Sequence, residues 1–173
     1  MNCHFKVFLV SVLLALSRYV NAGDLSDNAR RDALQLVACM KVFDSVCANS
    51  LTYTKVFEDH GIPRSQLDQR VGDLYQKLKS MHATYLRFDL DAPWSPFIAS
   101  GRNYIFIPYN MILETGEQRA SLMSFFIGVS EDSGVSWKFV DGQSATQGNI
   151  DMIIPGYAGA KLPPTSFSPS GSR

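Results

Sequence analysis

Tyr104-Ile105-Phe106-Ile107-Pro108-Tyr109-Asn110-Met111-Ile112-Leu113 decides the fold. Its isoleucines and aromatic residues favour extended backbone, and side chains alternate between the two faces of a strand. Tyr104, Phe106, Asn110 and Ile112 share one face; Ile105, Ile107, Tyr109, Met111 and Leu113 share the other. Both faces are apolar, unlike a half-solvated hairpin strand. Such a strand must be covered on both sides, curl around a cavity, or bury its second face in a partner such as an identical subunit.

Working outward, Thr115-Gly116 turns the chain into a second long strand at Ser121–Val129, and Val135–Val140 reads as a third. Upstream, Thr84–Leu90 alternates and Pro93–Ser100 is irregular. Ile150–Ile154 gives a short last element, and the Pro- and Ser-rich residues 163–173 are predicted to be disordered. Before Met81 the period is helical. Ser26 is placed to cap a helix reaching about Ala48, with Ala33, Leu36, Val37, Met40, Phe43 and Cys47 on its buried stripe. Ser65 opens another helix, whose stripe is Leu67, Val71, Leu74, Tyr75 and Leu78. Helices first and an antiparallel meander afterward define an α+β domain with helices on one face of the sheet, here over residues 23–162.

The 173 residues carry 16 basic and 16 acidic side chains and are 46% hydrophobic. That balance excludes a disordered chain and argues against nucleic acid as a partner. The apolar run Val7–Leu16 follows His4 and Lys6 and precedes Val20-Asn21-Ala22, the form of a signal peptide cleaved after Ala22. The run falls short of the roughly 20 residues that span a bilayer. The expectation is a secreted or periplasmic protein with no membrane anchor after processing. Cys39 and Cys47 remain in the mature chain. On one continuous helix their Cα atoms would stand about 12 Å apart, beyond the roughly 7 Å reach of a disulfide, so two buried thiols are predicted.

Two stretches resemble known families. The helices followed by a meander that closes on Trp137-Lys138-Phe139-Val140-Asp141-Gly142 resemble the nuclear transport factor two-like superfamily, over roughly Asp27 to Pro155. The resemblance implies a curled, cone-like sheet with a pocket beneath the helices, serving in some members isomerases or dehydratases and in many others noncatalytic binding or dimerisation. Ser130-Glu131-Asp132-Ser133-Gly134-Val135-Ser136-Trp137 is similar to the Asp-box, Ser-x-Asp-x-Gly-x-x-Trp. In that motif Ser130 and Asp132 bond the backbone of a tight loop, Gly134 takes a positive φ, and Trp137 packs beneath. One copy implies a structural turn and no sialidase chemistry.

No His-Glu-x-x-His, Cys-x-x-Cys, phosphate loop or serine elbow is present, so no metal or cofactor is implied. The polar set worth weighing is Tyr85, Arg87 and Asp89, at two-residue spacing opposite Leu86, Phe88 and Leu90. Facing water, these three form an ordinary charged face. Facing a lumen, Asp89 becomes a candidate general base with Tyr85 or Arg87 as its orienting donor. Trp94, Tyr104, Asn110 and Trp137 are candidate binding residues that serve equally well in a core. The leading expectation is a noncatalytic domain that binds a small hydrophobic ligand or a protein partner. The alternatives are a cofactor-independent isomerase or dehydratase, and an inhibitor or immunity protein that blocks an exported toxin through its sheet surface; a flat exposed Ile105, Ile107, Tyr109 surface would favour a protein partner.

Overall fold

The computed structural model describes residues 22–170 apart from 117 and 160; residues 1–21, on which the expectation of a signal peptide falls, lie outside the described residues. Helices α1 (Ala22–Lys41), α2 (Ser45–Ser50), α3 (Lys55–Glu58) and α4 (Arg64–Ser80) precede strands β1 (Thr84–Leu90), β2 (Phe97–Ala99), β3 (Arg102–Thr115), β4 (Gln118–Ser130), β5 (Lys138–Asp141) and β6 (Ser166–Ser170). The arrangement is α+β, with one open six-stranded antiparallel sheet.

The long apolar run forms the middle of β3, which pairs with β4 from Asn103↔Ser130 to Thr115↔Gln118. β1 and β2 share the outer edge of β3, while β5 and β6 share the outer edge of β4. On one face Ile105, Ile107, Tyr109 and Phe126 pack under Ala33, Leu36 and Val37 of α1 and Tyr75 of α4. On the other, Tyr104, Phe106, Ile127 and Val129 pack against Val56, Ile150 and Ile154. The two-sided cover extends along the first half of β3 only. Farther along, the second face carries Arg87, Asp89 and the Arg119–Glu114 ion pair in water. Ile105, Ile107 and Tyr109 are buried, so these three residues present no exposed apolar surface.

Several expectations need correction. The first helix ends at Lys41 and a second begins after Asp44. Asp44 N–H donates to Cys39 O and Phe43 N–H to Met40 O, each at 3.0 Å, with Phe43 at φ 52°. These are the paired bonds of a Schellman stop. Phenylalanine takes the position usually given to glycine because its ring is held between Tyr75 and Tyr85, at centroid distances of 5.6 and 5.5 Å. The reversal brings the Cys39 and Cys47 Cα atoms to 5.6 Å, and the two residues form a disulfide. They are not free thiols. Ser26 caps nothing, because α1 already includes Ala22.

Residues 166–170, expected to be disordered, form β6 on the stretch of β4 that β5 leaves open. Unpaired strand edges offer rows of donors and acceptors, and even a Ser- and Pro-rich segment lowers free energy by pairing there. The third strand starts at Lys138 rather than Val135, because the preceding residues belong to the Asp-box turn. Ile150–Met152 is a single 3-10 turn.

Candidate functional site

β1 contains a bulge: Tyr85 pairs with Leu113 but Arg87 pairs with Ile112, leaving Leu86 as the extra residue. A bulge shifts the alternation by one. Tyr85 therefore joins Phe88 and Leu90 on the helix-covered face, separated from Arg87 and Asp89. The proposed common face of Tyr85, Arg87 and Asp89 is thus overturned. Arg87 and Asp89 are exposed and ion-paired to each other, which is the charged solvent face and no lumen.

Between that sheet face and the helices lies a cavity of about 500 Å³, within the roughly 300–1,000 Å³ of ligand pockets. Leu36 and Met40 of α1, Val71, Leu74 and Leu78 of α4, and Met111 of β3 supply apolar wall. The register Phe126↔Asp141 turns the last residue of β5 to the same side. Both Asp141 carboxylate oxygens lie 3.3 Å from the Tyr109 hydroxyl. Ser124 Oγ approaches at 3.4 Å, and the Gln143 N–H donates at 2.9 Å. Asp141 is accessible by area yet crowded by protein in volume, as befits the wall of an open cavity.

Burial raises the Asp141 carboxyl above its ordinary pKa, against the opposing hydrogen bonds from Gln143, Tyr109 and Ser124. Burial also raises the Tyr109 phenol, helped by the Asp141 charge, and raises Tyr85 for the same two reasons. The phenols thus remain protonated donors around a carboxylate. No group of three or more His, Cys, Asp or Glu suited to a metal ion occurs among the described residues.

Of the candidate catalytic and binding residues read from the sequence (Tyr85, Arg87, Asp89, Trp94, Tyr104, Asn110 and Trp137), Tyr85 alone lines this cavity. Asn110 donates to Asp91 Oδ2 at 3.1 Å on the opposite face. Tyr104 is buried in the second core, and its hydroxyl has no hydrogen-bond partner among the described residues. Trp94 borders an open groove of about 720 Å³ with Phe97, Ile98, Phe106 and Tyr157. That groove is larger than the cavity but has no charged side chain among its described lining residues to orient a ligand. A third hollow, about 260 Å³, is occupied by its own ion network. There Glu131 Oε1 takes Arg102 at 2.9 Å, Tyr53 at 3.1 Å and Lys55 at 3.7 Å.

Trp137 sits beneath the Asp-box turn, its indole N–H donating to Gly134 O at 3.2 Å. Ser130 Oγ accepts from Gly134 N–H at 2.8 Å. Asp132 accepts from the Ser136 N–H and hydroxyl at 3.0 and 2.6 Å. The turn is fastened to α1, where Asp32 Oδ2 accepts from Trp137 N–H at 2.9 Å and Asn28 donates to Gly134 O at 3.0 Å.

Asp141 was missed by sequence reasoning, which read Tyr109 only as part of an apolar sheet face. The available signal was a carboxylate two residues after Phe139, hence on its face, at the end of the strand Lys138–Asp141. No known protein family, curated protein or solved structure matches this chain.

Proposed function

We propose that this is an exported, noncatalytic binding domain of nuclear transport factor two-like design, which holds a small hydrophobic ligand beneath α4. The observation carrying the reading is a cavity of about 500 Å³ with aliphatic and aromatic walls and one convergent polar cluster, Asp141 with Tyr109 and Ser124. Apolar area supplies affinity in such a pocket, while a few polar groups fix orientation. The Cys39–Cys47 disulfide supports an oxidising compartment, in keeping with the signal-like segment at the amino terminus.

Nile red, a neutral apolar dye, tests the reading. Its fluorescence should rise on binding the purified protein, and Met111→Trp, which fills the cavity from β3, should abolish the rise with circular dichroism unchanged. Equal dye binding by the variant would place the apolar site elsewhere and overturn the reading.

A second reading is favoured by a specific observation. A carboxylate with raised pKa beside protonated phenols is the equipment of a cofactor-independent isomerase or dehydratase. Asp141, rather than Asp89, would then take a proton from a carbon acid while Tyr109 donates to the oxygen that gains charge. Solvent deuterium incorporated into a bound carbonyl compound by the native protein and not by Asp141→Asn would favour this enzyme over the binding domain.

A further inference from the structure

The cavity walls carry two ionisable carboxyl groups, Asp68 of α4 and Asp141 of β5, and no Lys, Arg or His among the described lining residues. Asp68 Oδ1 is buried without a hydrogen-bond partner among the described residues; Arg64, one turn back on α4, faces the other oxygen at 3.8 Å. Around Asp141 the neighbouring side chains are phenols and a hydroxyl: Tyr109, Tyr85 and Ser124. Aromatic faces and a carboxylate both attract positive charge. A carboxylate ligand would instead face like charge in a low-dielectric space without a compensating cation.

We propose that the occupant is an apolar molecule bearing a protonated amine, with the ammonium seated against Asp141 and the hydrocarbon directed among Met111, Val71, Leu74 and Leu78. This rests on the cavity being a ligand site and adds the charge class of the ligand. An ammonium donates up to three hydrogen bonds. Asp141 has acceptor capacity left beyond Tyr109, Ser124 and the Gln143 N–H, and the amine would offset the desolvation of the carboxylate. Anionic amphiphiles such as fatty acids, a common cargo of apolar cavities in general, are disfavoured by the same arrangement.

Decylamine, decanol and decanoate separate hydrocarbon from charge. Calorimetric titration of the purified full-length protein at neutral pH should show decylamine binding at least about tenfold tighter than decanol, with decanoate weakest. Asp141→Asn keeps the shape and the acceptor for Gln143; it should weaken decylamine by about tenfold or more and leave decanol within about twofold. Circular dichroism and the melting curve of the variant confirm that it is folded. Equal affinity of the native protein for all three compounds, or an unchanged amine affinity in Asp141→Asn, would overturn the charge assignment while leaving the cavity reading intact. Failure of all three to bind would sink the cavity reading, and this proposal with it.

Discussion

At Asp141 the fold desolvates a carboxyl more than its hydrogen bonds compensate, so the folded-state pKa lies above the unfolded value of about 3.9. A raised acidic pKa means folding favours the protonated form. The stabilisation is fully present below the unfolded pKa and is lost as pH rises through the folded one. At neutral pH the ionised group therefore works against the fold, and Asp141→Asn should raise the melting temperature at pH 7 relative to wild type, by a margin that shrinks as pH falls toward 3. A variant melting at or below wild type at pH 7 would contradict this. Loss of amine binding accompanied by gain of stability is the pattern expected where a site is maintained for function. Asp32 is a contrasting case, a buried carboxylate whose Oδ2 satisfies the Trp137 N–H. Asp32→Ala orphans a buried donor and should lower unfolding free energy by about 1–3 kcal/mol in urea denaturation.

Among the elements, the break between α1 and α2 has the widest consequences. The disulfide closes a short loop, and Ala48 and Asn49 of α2 line the cavity beside Met40 of α1. Loop-closure entropy assigns such a crosslink about 2–3 kcal/mol. Replacing both Cys39 and Cys47 with serine should lower stability by that order, and iodoacetamide should leave the mass of the denatured, unreduced protein unchanged when residues 1–22, which include Cys3, have been removed. Uptake of the reagent under those conditions would show free thiols. The hairpin between β4 and β5 is a second such element. Gly128 lies flat beneath Trp137, so that an added Cβ would come within 2.7 Å of Ile105 Cγ2 and 3.2 Å of the Trp137 and Phe139 rings. Gly128→Ala should therefore destabilise by about 1–3 kcal/mol through overpacking, measurable as a lower urea midpoint.

For the molecule as a whole, the β4 side of the sheet is an edge in need of protection. Backbone bonds from Tyr53 N–H to Phe139 O at 2.9 Å and from Phe139 N–H to Leu51 O at 2.8 Å cover β5. β6 covers Arg119–Met123 of β4, with Phe167 opposite Leu122 and 62% exposed. A chain ending after Thr165 should keep its core and its circular dichroism, yet expose that β4 edge. Light scattering should then report concentration-dependent association absent from the full-length protein; a truncated chain that remains monomeric would show that β6 is dispensable for edge protection.

Legibility in the sequence followed the range of the interactions. β1 falls on Thr84–Leu90 as alternation indicates, and the long runs around Tyr104 and Ser121 are β3 and β4, because burial patterns are written along the chain with a period of two. The turn over Ser130–Trp137 was readable because its bonds span only those residues. The site was not readable. Tyr85 turns inward through a one-residue bulge, and Asp141 meets Tyr109 only through the registers of β3 with β4 and of β4 with β5. The helix break at Phe43, and with it the disulfide, depends on rings from α4 and β1 holding a backbone conformation that phenylalanine disfavours by itself. By itself, the sequence determined the α+β order and the apolar strands that had to be covered, since both follow from local periodicity. Only the tertiary structure decided which side chains face the cavity and that its charged walls are acidic, since each depends on strand register between distant residues, where a shift of one position reverses the face.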